Sequence, residues 1–332
     1  MSNPAIGQQG VAVPSTVPLA RDDAQGTENF IMGLPPRARK AGRATEAAHS
    51  HGAPGSGNKT LHYVALIFLA LVCLAPIWIM ISTSFKNGVV VQRAEPLWFF
   101  FVPTLDNYSY IFDRGRFDRY LVNSLIVGVF STLLTLLVGG LCAYALARTE
   151  FWGRRAVANG TLLIRMVPPA VLAIPAFAIV TAIVVPRDWS TTKDLATLII
   201  LYTALNLPFA IWLLFGFYKQ VPVELEEAAV VDGASPLQVF FRVLLPIMKS
   251  GYAVAGIFTF RIAWNEFILA LLLTNRNTRT LPVATSTFIT DTGVEWGRIM
   301  AMGTLIVIPP LLFTFFAARQ IIAGMTAGAV KG

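Results

Sequence analysis

The chain has 332 residues, of which 55% are hydrophobic and only 13% are charged, about half the charged share of an average soluble domain. The formal charge of +8 does not point to nucleic acid, because the basic residues are scattered through loops and tail with no aromatic-rich soluble domain to present them; anionic lipid headgroups are the better counterpart. All three histidines, His49, His51 and His62, lie at or before the first long apolar run, which excludes a Ser-His-Asp or Cys-His arrangement within the membrane.

Residues 1–58 are rich in Gly, Ala, Pro and Ser, carry the basic cluster "RARKAGR" and show no sustained apolar periodicity, so they read as a flexible tail. The tail is too long and too polar for the n-region of a cleaved signal peptide, and the apolar run after it is expected to stay as a span. "GAPGSGNKT" echoes a phosphate-binding loop, but Asn58 breaks the Gly-Lys-Thr junction and no strand precedes it. His49 and His51 in this tail make an incomplete metal site.

Six apolar runs follow, at 61–85, 120–147, 157–185, 194–217, 251–273 and 300–323, each long enough for one membrane-spanning helix. Cys73 and Cys142 fall inside two different runs, as small apolar side chains rather than a disulfide or metal pair. The expected fold is an all-α membrane protein of six transmembrane helices over residues 59–332. An even number of spans puts both termini on one side, and the tail cluster Arg37, Arg39, Lys40 and Arg43 tips that side towards the cytoplasm. Residues 86–119, 186–193 and 274–299 then face outward, and 148–156 and 218–250 inward. Prolines at Pro76, Pro168, Pro169, Pro175, Pro208, Pro309 and Pro310 suggest kinked helices around a pathway.

The inner segment 218–250 reads as two short helices with a hinge. Pro222 suits a first helical position, and Glu224, Glu226 and Glu227 put negative charge on the first turns, where the helix dipole favours it. Gly233 suits a left-handed cap. Ser235, Pro236 and Gln238 have the pattern of N-cap, first position and capping-box partner for a second helix, whose Leu237, Phe240, Phe241, Leu244 and Leu245 share one face. Ala228 and Ala229, nearly without side chain beside three carboxylates, form either a surface for close approach by a basic partner or an ordinary interfacial helix in which alanine serves helix propensity.

Glu227, Ala228 and Ala229, then Gly233 after three residues, then Val243, Leu245 and Pro246, resemble the EAA loop of membrane subunits of ATP-driven importers, with Val243 in place of the usual Ile. The flanks "NLPFAIWLL" and "AWNEFILALLL" and the ending "GMTAGAVKG" are similar to carbohydrate importers, in particular to the second permease subunit of the maltose type. The resemblance implies a type I importer permease in the bacterial inner membrane, with a cytoplasmic coupling loop over 218–250. It implies partners as well: a homologous permease, two ATP-binding subunits and an extracytoplasmic solute-binding protein. No cofactor is expected on this chain, ATP and Mg²⁺ being bound by the ATPase subunits. Carried over by position, the coupling residues are Glu224, Glu226, Glu227, Ala228, Ala229, Asp232, Gly233, Ala234, Leu245 and Pro246, with Glu227 pairing a basic group of the ATPase and Asp232 bracing the bend at Gly233. The implied function is ATP-coupled import of a sugar by alternating access; a polyol, glycerol phosphate or polyamine is the alternative cargo.

Arg165, Arg261 and Glu266 are ionisable groups in or near spans, and such groups are functional candidates in lipid. Trp264, Asn265 and Glu266, with Arg261 one turn before, either line a sugar pathway or satisfy one another and tie this helix to a partner. Arg165 is placed to snorkel to the inner surface. Trp98, Phe99, Phe100, Phe101 and Tyr108 in the outer segment fit interfacial anchoring as well as docking of a binding protein. An ion-coupled transporter is disfavoured because Glu266 is the lone acid deep in a span, and a membrane-embedded enzyme because no acid pair shares one span.

Overall fold

The computed structural model describes residues 59–93, 95, 97–183 and 191–329. The tail reading of 1–58 lies outside them, as does most of the loop 186–193. The chain divides into two units, Met1–Leu69 and Ala70–Gly332; the described part of the first is the exposed beginning of helix α1, and the second carries everything below.

The chain is almost wholly helical. In order come α1 (Lys59–Ser84), α2 (Gly88–Val91), α3 (Asp106–Asp113), α4 (Phe117–Arg148), α5 (Arg154–Arg165), α6 (Pro169–Ile183) and α7 (Thr191–Tyr218). Then follow α8 (Glu224–Val231), α9 (Pro236–Ile247), α10 (Lys249–Trp264), α11 (Ile268–Leu273) and α12 (Leu281–Ser286). A two-stranded antiparallel ribbon of β1 (Ile289–Thr290) and β2 (Gly293–Val294) leads into α13 (Trp296–Ala329).

Four helices are long and apolar enough to cross a membrane, at Thr60–Ser84, Phe117–Arg148, Asp194–Tyr218 and Trp296–Phe315, and two bent pairs raise the number to six if each is one span. The third apolar run is therefore not one straight helix: α5 and α6 meet at a bend of 104°. The consecutive Pro168 and Pro169 account for the break, since neither offers an N–H and the second drives the first out of the helical region. The fifth run is also interrupted, at Asn265–Phe267. There Glu266 folds back so that its Oε1 accepts from Leu269 N at 3.0 Å and its Oε2 from Ala270 N at 3.1 Å, starting α11 as a separate helix.

α4, α7 and α10 form the centre. Gly139 and Gly140 let α4 approach closely, for a Cβ at Gly139 would sit 3.2 Å from Ala210 Cβ and one at Gly140 would collide with the Tyr252 hydroxyl. Near the N-terminal end of α4 Phe117, Tyr120, Phe260, Trp264, Leu281 and Met302 form one core cluster. Near the C-terminal end of α4 Ala143, Leu214, Tyr218, Val239, Phe240, Leu244 and Met248 form another. The segment between α1 and α4 is stitched to its neighbours: Asn107 Nδ2 donates to Ser84 O at 2.9 Å and Lys86 O at 2.8 Å, and the Tyr108 and Ser84 hydroxyls pair at 2.7 Å. Burial lowers the Lys86 ammonium from its ordinary value, and its Nζ lies 4.8 Å from the Phe101 ring centroid. Of the aromatic group expected outside, Tyr108 is thus tied inward, whereas Phe99 and Phe100 stand exposed.

Candidate functional site: the α8–α9 loop

The two-helix hinge is present. Gly233 has φ +83°, its N–H reaches Val230 O at 3.0 Å and the Ala234 N–H reaches Ala229 O at 3.0 Å, the paired bonds of a Schellman cap. Two residues on, Gln238 N donates to Ser235 Oγ and Ser235 N donates to Gln238 Oε1 at 2.8 Å, a complete capping box. α8 therefore stops and α9 starts within a few residues, which fixes the angle between them locally. Pro222 is not the first helical residue; α8 begins at Glu224 after Val223, leaving the proline in the preceding turn.

The second helix departs from the expected single apolar face. Val239–Leu244 is a π-helical segment, and Leu245 N–H reaches back five residues to Phe240 O. Pro246 follows at once, with no N–H to offer the Arg242 carbonyl, so the ordinary bond pattern cannot continue there. The extra residue in the turn rotates the face: Val239, Phe240, Leu244 and Met248 are buried, whereas Leu237 and Phe241 stand exposed and Leu245 is half-buried.

The loop has an inner and an outer side. Towards the core, Ala229 and Ala234 pack beside Tyr218, Val221 and Phe240 in the cluster at the C-terminal end of α4. Outward lie Glu224, Glu227, Ala228, Asp232 and Gly233, with Val230, Leu237 and the 86% exposed Val231 around them. Pro246 is exposed at the far end of α9. Glu226, grouped by sequence with the docking acids, does not belong to this side. Its Oε1 pairs with Arg148 Nε at 2.5 Å and its Oε2 accepts from the Tyr144 hydroxyl at 3.1 Å, with only 13% and 10% of the Arg148 and Glu226 side chains exposed. A hydrogen-bonded ion pair is the arrangement in which a buried carboxylate keeps its charge. Sequence spacing alone could not choose among the three glutamates, because the partner that turns Glu226 inward is Arg148, 78 residues away.

The intramembrane group is dispersed. Trp264 is 2% exposed, stacks on Phe260 with centroids 5.3 Å apart and donates its indole N–H to Ile306 O at 3.2 Å. It is a core side chain joining α10 to α13, which corrects its placement on a pathway. Asn265 closes α10, its Nδ2 donating to Arg261 O at 2.9 Å, and the Arg261 guanidinium stands exposed near the Phe258 ring. Glu266 is satisfied by the Tyr202 hydroxyl at 2.7 Å and the two α11 amides rather than by Arg261 or Asn265. It borders a cavity of about 260 Å³ with Arg165, Tyr202, Asn206 and Phe209. The exposed Arg165 has its guanidinium 4.4 Å from the Phe209 ring centroid. Among the described residues no group of His, Cys, Asp and Glu is placed to hold a metal ion.

Comparison with known proteins bears on this architecture. The family model described as binding-protein-dependent transport system inner membrane component matches residues 135–326, which include α7 through α12 and the loop. The chain is 39% identical over 265 residues to the trehalose transport system permease protein SugB of Mycobacterium tuberculosis, covering 78% of this chain and 93% of that protein. It is 37% identical over 268 residues to the diacetylchitobiose uptake system permease protein DasC of Streptomyces coelicolor, covering 80% and 94%. Among solved structures, a chain of a bacterial ABC transporter involved in alginate import superposes with a TM-score of 0.66 at 20% identity, over 81% of this chain and 99% of that one, a likeness of fold.

Proposed function

Because the chain belongs to the family of binding-protein-dependent transport system inner membrane components, we propose that it forms half of a sugar pathway and receives its driving force through the α8–α9 loop. It is a multi-pass permease subunit of an ATP-binding-cassette importer and not an enzyme, ATP hydrolysis lying in partner subunits. The relatives named for trehalose and diacetylchitobiose uptake support a carbohydrate cargo. The pathway's other half comes from a homologous permease; two ATPase subunits holding ATP and Mg²⁺ dock on the cytoplasmic side, and a solute-binding protein delivers the sugar outside. Both termini are then cytoplasmic.

The observation that carries the coupling assignment is the two-sidedness of the loop. Its inner face is fastened into the core by Ala229, Ala234, Phe240 and Leu244, while its outer face presents Glu227, Ala228 and exposed Val231 beside a bend fixed by Gly233. A free acidic and small-residue surface on a firmly attached element suits a basic cleft that pushes and pulls. Closure of the ATPase pair would displace this loop, and the attached helices would rock as rigid bodies between outward and inward openings.

In the reconstituted importer, the binding protein loaded with a disaccharide is expected to stimulate ATP hydrolysis several-fold over the unloaded protein, the range of ordinary allosteric coupling. Stimulation by an amino acid or an inorganic ion, with none by any sugar, would contradict the carbohydrate assignment.

A further inference from the structure

α4 is distinguished from the other long helices. The other helices long enough to cross a membrane unbroken, α1, α7 and α13, each contain a proline, whereas the 32 residues of α4 contain none, giving an uninterrupted rod of about 48 Å at the usual rise per residue. Its three glycines are all held by neighbours, Gly128 against Phe260 and Gly139 and Gly140 against Ala210 and Tyr252.

Both ends of this rod are fastened to other parts of the chain. At the inner end Arg148 holds Glu226 of α8 through Nε, and its Nη2 donates to Val221 O at 2.8 Å, while Tyr144 gives Glu226 a second bond. Arg154 closes the terminus by donating to Leu146 O at 2.8 Å. At the outer end Asn123 Nδ2 donates to Asn277 O and to Arg279 O, both at 3.0 Å, and Ser124 Oγ accepts from Leu281 N at 2.8 Å. Arg116 and Arg119 both donate to Asn277 Oδ1, at 3.1 and 3.0 Å. Asp194 at the start of α7 pins the same segment by accepting from Asn275 at 2.6 Å and Thr278 at 2.8 Å.

From this arrangement we infer that the Glu226–Arg148 pair is the joint through which movement of the docking loop enters α4, and that α4 delivers it to segment 275–281 at its other end. Separating the pair would strand two buried charges, so α8 and the inner end of α4 move together. The covalent neighbours of the loop, α7 and α10, are then not its sole mechanical outlets. Glu226, Arg148 and Asn123 are positioning residues of the transport cycle: they touch neither nucleotide nor sugar. The inference rests on the docking assignment made above, and the test separates the two.

The test uses the whole importer in liposomes, comparing Glu226→Gln at one end of the rod and Asn123→Ala at the other. Both variants are expected to retain the ATPase subunits and to hydrolyse ATP within about twofold of the parent, while sugar moved per ATP falls at least about tenfold, a loss within the usual range of coupling energies. The shared signature at two places on opposite ends of α4 is what simple local destabilisation would not produce. Unchanged transport per ATP in either variant overturns the inference. Loss of the ATPase subunits from Glu226→Gln overturns it too, by making Glu226 part of the docking contact. If instead Glu227→Lys keeps the ATPase subunits and normal uptake, the docking assignment fails.

Discussion

Glu227→Lys is expected to leave a folded permease in the membrane that no longer retains its ATPase subunits on purification and no longer takes up sugar. Glu227 is exposed on the outward side of α8, with no ion-pair partner among the described residues, so reversing its charge disturbs nothing inside the chain. The neighbouring Ala228 contributes no bulk, which lets an opposing surface come close enough to exclude water from the contact. Replacing one member of such a desolvated pair by a like charge removes the attraction and adds repulsion. Losses of about 2–5 kcal/mol are usual when one member is merely truncated, so ATPase binding should weaken by well over tenfold. Co-purification of the ATPase subunits from detergent measures it. The same reversal at Glu226 would instead break the buried pair with Arg148, so the two neighbouring glutamates should fail in different ways.

Gly233→Pro is the second large effect. Gly233 sits at φ +83°, and proline is confined near −65°, so the cap cannot form with proline in place. The substitution also deletes the N–H that bonds Val230 O. α8 and α9 would then meet at another angle, moving Val231 and Ala228 away from the positions set by Ala229 and Ala234. Uptake should fall at least about tenfold while the six-span body remains inserted, because the affected turn is exposed and its surroundings open. Gly233→Ala, which keeps the N–H but disfavours positive φ, should fall between the two. Equal uptake by all three proteins would contradict a rigid angle at this hinge.

What could be read from sequence was local chemistry. The hinge at Gly233 and the box of Ser235 and Gln238 follow from backbone preferences acting over a few residues, and both are present as expected. The apolar runs likewise located the long helices, since span length is dictated by membrane thickness. What depended on distant partners was not legible. Glu226 turns inward because of Arg148 and Tyr144, and Trp264 is buried because α13 supplies Ile306. The bend at Pro168–Pro169 falls at prolines whose sequence already suggested a kink, whereas the interruption at Asn265–Phe267 depends on how the Glu266 carboxylate folds back onto the α11 amides. The π-helical segment before Pro246 altered a face that a regular 3.6-residue period assigned to Leu237 and Phe241.

The central claim, that this chain is a permease driven by ATP on partner subunits, is tested most directly by uptake into inside-loaded vesicles. The complete importer is reconstituted with ATP enclosed, the solute-binding protein and a labelled disaccharide are supplied outside, and ionophores collapse every ion gradient. Accumulation that continues under these conditions and ceases when the enclosed ATP is replaced by a non-hydrolysable analogue is the expected result. Accumulation that requires an ion gradient and is indifferent to ATP would contradict it.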